Sequence, residues 1–297
     1  MMSVRFTRSL AIVLAAVTLT AGGCAYLDVK QREWIFRPQR DVHATPADVG
    51  LRYDELWLTV PGAAPAGERV HGWWIPAADA RAPTLLYLHG ARWSLSNNLH
   101  RIGRLHRMGF AVLAIDYRGF GRSDGDLPSE AQAYADAQAA WNELRRREPD
   151  PTRRFLYGHS LGGAVAIELA TRNDDVGGMI VESSFTSIRD MVDVLGYTTL
   201  SVDALITQRF DSLAKVPAVS APILFVHGTA DRFVPPTMTE RLYAAAREPK
   251  RLLLIEDGNH RNSTDVGYDK YLSAMRELVD LAARLGATRT ATPGRSG

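Results

Sequence analysis

The chain has 297 residues, which is enough for one large α/β domain or two small ones. Hydrophobic residues make up 46% and charged residues 23%, as is ordinary for a globular domain, so extensive disorder is not expected. The formal net charge of +2 indicates no nucleic-acid partner, and the single cysteine excludes an intrachain disulfide or a cysteine-based zinc cluster.

The first 24 residues have the form of an export signal. Arg5 and Arg8 precede an apolar stretch over 10–19 that is too short to span a bilayer comfortably, and small residues then lead to Cys24. The segment resembles a bacterial lipoprotein signal, in which the cysteine becomes the lipidated first residue of the mature chain. Ala21 departs from that pattern, where Leu is more common. An ordinary cleaved signal and an uncleaved anchor are the alternatives.

These features predict an exported, membrane-anchored lipoprotein that faces the periplasm, with residues 1–23 as its signal peptide. The second mature residue is Ala25 rather than Asp, and resemblance to known sorting rules then favours the outer membrane. Residues 24–50 are predicted to be the lipidated N-terminus and a tether, because their prolines and charges show no period. The folded domain is expected over 51–285, and a disordered tail over 286–297.

Apolar runs predict eight strands. The first two, 51–60 and 69–76, flank a loop rich in glycine, alanine and proline and should form an antiparallel hairpin. Segments with helical periodicity separate the others, so the fold class is α/β. We expect a mostly parallel eight-stranded sheet with an antiparallel N-terminal edge and helices on both faces. The six further strands are predicted at 84–89, 111–116, 154–158, 177–182, 222–228 and 251–257.

Two of the helical segments carry clear end signals. Apolar residues recur every three positions between 97 and 109, and Gly109 is placed to end that helix. Ser129 and Gln132 form a capping-box pattern that opens a helix extending to about Arg147. Three consecutive arginines lie at its end, where their positive charges interact favourably with the helix dipole. This interaction explains the arginines more simply than a binding patch would.

The sequence GHSLG (158–162) follows a predicted strand and opens a predicted helix. A GxSxG motif is weak by itself, because it arises by chance in roughly one chain in ten of this length. Its position strengthens it, since a sharp strand-to-helix turn requires small neighbours and presents the serine hydroxyl at the sheet edge. Ser160 is therefore the predicted nucleophile. A glycine-rich turn used only for packing is the alternative.

A serine hydroxyl needs a general base, and on such a turn the expected chain order is serine, acid, histidine. His260 is the only histidine after Asp231, and both follow predicted strands at the same edge as Ser160. The alternatives are an exposed loop histidine and an aspartate that caps the next helix. Three carboxylates rival Asp231, the first of them at an adjacent strand end: Glu182, Glu256 and Asp257.

The sequence HGA (89–91) ends the third predicted strand and resembles the HG-x sequence that places a backbone amide opposite a nucleophile. The Ala91 amide would join the Leu161 amide in an oxyanion hole. No HExxH sequence or similar ligand spacing occurs, so neither a metal nor another cofactor is predicted. The histidines beside these motifs are predicted to be structural: His89, His159 and His227.

Together these residues resemble the α/β-hydrolase superfamily, and within it the Bem46-like and ABHD-type serine hydrolases, also described as serine aminopeptidase S33-like. The resemblance covers roughly residues 51–285 and implies acyl-transfer chemistry. It does not fix the substrate, because relatives cleave esters, thioesters, amides and other bonds. The matching pieces are YLHG (87–90), AIDYRGFGRSDG (114–125), YGHSLGG (157–163), ESSFTS (182–187) and VHGTADRFVP (226–235).

Caps in this superfamily usually enter after the sixth strand. Residues 184–214 leave room there for two short helices and not for a full cap domain. A small cap implies an open pocket that suits lipid-like or bulky acyl groups, unless the segment merely packs on the sheet. Its apolar members are Met191, Val192, Val194, Leu195, Leu200, Leu205 and Ile206.

The sequence thus predicts a membrane-tethered serine hydrolase that cleaves a carboxylic ester or thioester of a small-molecule or lipid-like substrate. Two alternatives stay open. One is a peptidase that acts on N-terminal residues, for which no carboxylate that would hold a free amine is identified. The other is a lipoprotein that keeps the fold as a non-catalytic binding module, against which the complete set of Ser160, Asp231 and His260 argues. The oligomeric state is not indicated.

Overall fold

The structure is a computed structural model that describes residues 22–63, 66–196 and 203–291. The predicted signal up to residue 21, Leu200 of the cap and the tail from 292 lie outside the described residues. Eight strands form one sheet: β1 Asp54–Thr59, β2 Arg69–Ile75, β3 Thr84–Leu88, β4 Ala111–Ile115, β5 Arg154–His159, β6 Gly178–Glu182, β7 Ile223–Gly228 and β8 Lys250–Ile255.

The sheet confirms the predicted fold class. Its strand order is β1-β2-β4-β3-β5-β6-β7-β8. β2 pairs antiparallel with both β1 and β4, and every other neighbouring pair is parallel. The carboxyl ends of β3 and β5 to β8 therefore meet at one edge, and this edge carries the candidate site.

Helices cover both faces of the sheet. α2 and α9 pack on one face, whereas α3, α4 and α7 pack on the other. The side chains of β3 illustrate the consequence for the sheet, which is buried on both faces. Leu86 and Leu88 face one helical layer, Leu85 and Tyr87 face the other, and all four are buried. The helices are α1 over 22–36, α2 Leu99–Arg107, α3 Glu130–Arg147, α4 Leu161–Arg172, α5 Ile188–Val194, α6 Ser212–Lys215, α7 Pro236–Ala245, α8 Ser263–Val266 and α9 Tyr268–Ala291.

The end of α3 confirms that its arginines have structural partners. Ser129 and Gln132 form the predicted capping box at the start of this helix. At the other end, Arg145 Nε donates to Asp175 Oδ2 over 2.5 Å. The Arg147 guanidinium lies 4.7 Å from the ring centroid of Trp74. These contacts hold α3 against the domain in addition to the dipole effect.

The predicted tether over 24–50 requires correction, because α1 occupies its first part and docks on the domain. Gln31 Nε2 donates to the Leu205 carbonyl over 2.7 Å, and Arg32 Nε donates to the Pro128 carbonyl over 3.0 Å. Phe36 is fully buried in the core, with its ring centroid 5.8 Å from that of Phe210. These partners lie 96 or 174 residues away along the chain, so no local period in 24–50 could reveal them.

The predicted disordered tail also requires correction at its start. α9 extends to Ala291, six residues past the expected domain end at 285. Its inner face carries Met275, Leu278 and Ala282 into the core. A Cβ at Gly286 would lie 2.1 Å from Thr152 Cγ2, so glycine permits the helix to pass close to the turn before β5.

The insertion over 184–214 contains α5 and α6, in agreement with two short helices. Met191 packs against the core, whereas Val194, Leu195 and Leu205 are exposed. None of the described residues of this insertion lines the cavity beside Ser160. The described part of the insertion therefore contributes no apolar wall to that cavity.

Candidate active site

Ser160 sits on the turn between β5 and α4 with an unusual backbone conformation. Its φ of 55° and ψ of −119° fall where side chains are rarely found, at a typical cost of about 1–3 kcal/mol. Close approach of neighbouring backbone enforces the turn. A Cβ at Gly158 would lie 2.2 Å from the Gly162 carbonyl oxygen, and one at Gly162 would lie 2.0 Å from the Leu88 carbonyl oxygen. Larger residues are therefore excluded at both positions.

Hydrogen bonds from neighbouring elements fix this strained turn. The Ser160 amide donates to the Glu182 carbonyl over 2.9 Å, and Ser184 Oγ donates to the Ser160 carbonyl over 2.9 Å. The Gly163 amide donates to the same carbonyl within the first turn of α4. Ser160, the predicted nucleophile, is thus tied to the end of β6 as well as to its own helix.

His260 and Asp231 are brought into direct contact at the ends of β8 and β7. His260 Nδ1 lies 2.7 Å from Asp231 Oδ2, which indicates that Nδ1 carries the proton of that hydrogen bond. Asp231 Oδ1 accepts from the amides of Phe233 and Val234 over 2.8 and 3.0 Å. The carboxylate is therefore held in place from both of its oxygens.

Asp231 is kept ionised although its side chain is buried. Burial acts to raise the pKa of this carboxyl, but hydrogen bonds from His227 and His260, the charge of His260 and the Val234 amide outweigh it and lower the pKa below its usual value. His227 Nε2 lies 3.1 Å from Asp231 Oδ2. The imidazole of His260 thus faces a carboxylate that can balance a positive charge.

Glu182, the strongest rival acid, has other partners. Its carboxylate accepts from the hydroxyls of Tyr157 and Tyr271, the latter over 2.8 Å. Arg101 Nη2 lies 3.5 Å from Glu182 Oε1. The side chain is fully buried beneath the site and its partners form a closed cluster, whereas Asp231 is the carboxylate that contacts His260.

The remaining predicted histidines have structural contacts. His227 Nδ1 lies 2.6 Å from Thr239 Oγ1, and His89 Nδ1 lies 2.6 Å from the Gly90 carbonyl oxygen. His159 also supports the site, because its Nε2 donates to the His260 carbonyl over 2.8 Å. Burial first, and then the charges of Arg101 and His260, lower the pKa of His159 well below its usual value, so it stays neutral.

The loop after β3 places Ala91 beside the nucleophile. A Cβ at Gly90 would lie 3.2 Å from Ser160 Cβ, and Ala91 lines the same cavity as Ser160. The next residue, Arg92, has a φ of 77°, and its amide donates to the Phe36 carbonyl over 2.7 Å. Residue 36, at the end of α1, thus braces the predicted oxyanion loop. The sequence predicts a tether over this segment and does not indicate that residue 36 supports the loop after β3.

Ser160 and His260 open onto a cavity of about 320 Å³. After their predicted roles, we call Ser160, His260 and Asp231 the catalytic floor. We call Arg92, Trp93, Phe233 and Arg261 the pocket rim; the sequence analysis did not identify any of these four. The other lining residues are Gly90, Ala91, Asn97, Asn98, His100, Arg101 and His159.

Residues 22–63, 66–196 and 203–291 contain neither a candidate metal site nor a candidate membrane span. Within these ranges no group of three or more histidine, cysteine or acidic side chains is arranged to hold a metal ion. No helix there is both long and apolar enough to cross a bilayer.

The chain is similar to an α/β-hydrolase domain-containing protein along most of its length. A family model described as serine aminopeptidase, S33, matches residues 79–212. The α/β-hydrolase domain-containing protein WAV2 of Arabidopsis thaliana is 31% identical over 286 residues, which cover 88% of this chain and 91% of that protein. Protein bem46 of Schizosaccharomyces pombe is 34% identical over 203 residues, which cover 66% of this chain and 67% of bem46.

The fold is shared with solved structures at lower sequence identity. An esterase of Pyrococcus furiosus superimposes with a TM-score of 0.66 at 20% identity, covering 83% of this chain and 97% of the esterase. This likeness bears on the fold alone.

Proposed function

Because the chain belongs to the α/β-hydrolase superfamily, we propose that it is a serine hydrolase that cleaves a carboxylic ester or thioester. Ser160 would be the nucleophile, His260 the general base and Asp231 the residue that orients and charge-balances the base. One observation carries the proposal: His260 is bound through Nδ1 to Asp231 over 2.7 Å and shares its cavity with Ser160. Nε2 is then the nitrogen left to act as the base.

The reaction would proceed through an acyl-enzyme. Ser160 Oγ attacks the acyl carbon while His260 Nε2 takes the hydroxyl proton, and the Asp231 carboxylate stabilises the imidazolium. The amides of Ala91 and Leu161 would donate to the developing oxyanion. His260 then gives its proton to the leaving alcohol or thiol. A water molecule, activated by His260 in the same way, releases the carboxylic acid.

The cavity lining favours an acyl ester over a peptide with a free N-terminus. An aminopeptidase-like reaction requires a negative group to hold the substrate ammonium. Among the described residues that line the cavity there is no aspartate or glutamate. The positive and neutral polar lining instead supports a substrate without an ammonium group beside the acyl carbon.

Three butyryl substrates and one alanyl substrate test the reaction class. We expect 4-nitrophenyl butyrate and a butyryl thioester to be hydrolysed, and butyryl and alanyl 4-nitroanilides to be hydrolysed at least a hundredfold more slowly. Faster cleavage of the alanyl anilide would favour the peptidase. No turnover of any substrate by folded protein would favour the binding module.

We also propose that Cys24 is lipidated and anchors the enzyme at a membrane, with the domain exported to the periplasm and the outer membrane as its destination. Cys24 is exposed on α1, and two aromatic side chains of that helix are exposed as well, Tyr26 at 63% and Trp34 at 72%. Aromatic rings of this kind suit a membrane interface. A diacylated cysteine would add two buried chains, which anchor stably where one is marginal.

Fractionation with metabolic fatty-acid labelling tests the anchor. Wild-type protein should carry the label and sediment with outer membranes, and Cys24→Ala should lose the label. An unlabelled, freely soluble wild-type protein would require the anchor to be withdrawn, and it would leave the proposed chemistry untouched.

A further inference from the structure

The cavity that holds Ser160 is strongly cationic. Three arginines line it, Arg92, Arg101 and Arg261, together with His100. Its described lining includes no acidic side chain, although the whole chain is nearly balanced with 35 basic and 33 acidic residues. The positive charge is therefore concentrated at the site rather than a property of the general surface.

The innermost arginine is already paired. Arg101 is only 7% exposed, and its Nη2 lies 3.5 Å from Glu182 Oε1 and 2.9 Å from the Arg261 carbonyl oxygen. Its positive charge is therefore largely balanced by Glu182 below the cavity. Two further acids lie just outside the lining: Asp231 is bound to His260 over 2.7 Å, and Asp265 is engaged with His100 and Arg104 over 2.8 and 2.9 Å.

The two rim arginines have no such balance. Within the described residues, neither Arg92 nor Arg261 has a carboxylate within 4.0 Å. Each lies over an aromatic ring instead: the Arg261 guanidinium lies 3.3 Å from the Trp93 ring centroid, and the Arg92 guanidinium 5.6 Å from that of Phe233. Partial burial, and then the charges of Arg92 and Arg101, lower the pKa of Arg261. The two cations thus repel each other.

Stacking of this kind fixes the plane of a guanidinium and leaves its N–H groups free to bind an anion. A fixed guanidinium binds carboxylate or phosphate through two parallel hydrogen bonds, with little loss of side-chain entropy. Phe233 also contacts the floor, since its ring centroid lies 5.1 Å from that of His260. An anion held by the rim would therefore lie next to the reacting bond.

We propose that the substrate of this site carries a carboxylate or phosphate group close to its scissile acyl bond, and that Arg92 and Arg261 bind that group. The inference rests on the proposed serine hydrolase activity and narrows its substrate class from neutral acyl esters to anionic ones. The anion selects the substrate, and Ser160 performs the chemistry.

Matched ester pairs test this inference on either side of the scissile bond. On the acyl side, 4-nitrophenyl hydrogen suberate is compared with its methyl ester. On the leaving-group side, the butyryl esters of 4-hydroxybenzoate and of 4-hydroxyphenyl phosphate are compared with that of 4-hydroxybenzamide. We expect the anionic member of at least one pair to have a kcat/KM at least tenfold higher, with the preference shrinking as salt screens the charges.

The arginine variants assign this preference to the rim. Arg92→Gln with Arg261→Gln should reduce the anionic-to-neutral ratio of kcat/KM below threefold, whereas Arg276→Gln, an exposed arginine on α9 outside the cavity, should leave it unchanged. A ratio near one in wild type, or a ratio that survives the double variant, would overturn the inference.

Two anionic inhibitors distinguish a soluble anionic substrate from a lipid headgroup. Competitive inhibition by soluble phenyl phosphate supports a soluble anionic substrate, and inhibition by phosphatidylglycerol vesicles but not by phosphatidylcholine vesicles supports a lipid headgroup. Inhibition by neither contradicts anion binding. Hydrolysis of neutral esters with no anionic preference would reject the inference alone, whereas absence of any Ser160-dependent turnover would reject the proposed function.

Discussion

The catalytic floor and the pocket rim face one cavity but are built differently. The floor residues follow strands β5, β7 and β8, and Ser160 is only 6% exposed. The rim residues lie on loops, and Phe233 is 49% exposed. Hydrogen bonds to backbone hold the floor, whereas stacking holds the rim arginines. Under the proposed function, the reaction would depend on a rigid edge of the sheet, and substrate choice would depend on loop side chains that can change without disturbing that edge.

Removal of either reacting group of the floor should have the largest effect. Ser160→Ala and His260→Ala should each reduce ester kcat by about 10⁴- to 10⁶-fold, because nucleophile and base act as one unit. The double variant should lose no more than about tenfold beyond either single variant. Steady-state kinetics with 4-nitrophenyl butyrate measure this, and losses that multiply in the double variant would show that the two residues act independently.

Substitution of the two buried carboxylates should distinguish a loss of turnover from a loss of folding stability. Asp231→Asn should reduce kcat by about 10⁴-fold with the fold kept, because the His260 tautomer is no longer fixed. Glu182→Gln should instead lower the free energy of unfolding by about 3 kcal/mol, since Arg101 loses its charge partner. Urea denaturation and turnover per folded molecule distinguish the two. A catalytic loss in Glu182→Gln equal to that in Asp231→Asn would exchange their roles.

A glycine pair should show how tightly the floor is built. Gly162→Ala would force a Cβ to within 2.0 Å of the Leu88 carbonyl oxygen, so we expect a loss of about 2–4 kcal/mol in unfolding free energy and at least a hundredfold in kcat. Gly103→Ala in α2 is the matched control, because its nearest new contact is the flexible end of Arg107 at 3.5 Å. That variant should be as stable as wild type or more so. Equal losses in both would contradict a special constraint at Gly162.

The smallest effect is expected at the rim. Phe233→Ala removes the ring that contacts His260 edge-to-face and underlies the Arg92 guanidinium, and it should reduce kcat/KM for a neutral ester by less than tenfold. Leu254→Ala, a partly exposed residue on β8 away from the cavity, controls for loss of apolar surface. A loss in Phe233→Ala as large as that in Asp231→Asn would erase the distinction between rim and floor.

The sequence predicts the sheet and the floor because both depend on local signals. Buried parallel strands appear as apolar runs, and the strained turn at Ser160 requires glycines at fixed distances. The parallel sheet then brings the ends of β5, β7 and β8 to one edge, which joins Ser160, Asp231 and His260. The choice of Asp231 over Glu182 depends on side-chain partners, since both acids follow strands at that edge.

The rim and the N-terminal segment could not be predicted in the same way. Arg261 and Trp93 are 168 positions apart and meet only because two loops converge over the floor. Phe36 fills a core position against Phe210, again a contact without a local pattern. Lone exposed arginines are common on protein surfaces. Whether one of them can bind a ligand depends on the ring that it packs on and on the carboxylates near it.

A serine-directed fluorophosphonate, with the adduct located by peptide mass spectrometry, tests the central claim most directly. The probe reacts with a serine hydroxyl that a neighbouring base has activated, and it requires no knowledge of the natural substrate. We expect one adduct in the wild-type protein, on Ser160, with labelling abolished in Ser160→Ala and strongly slowed in His260→Ala. An adduct on another residue, or labelling of folded Ser160→Ala at the wild-type rate, would show that Ser160 is not the nucleophile.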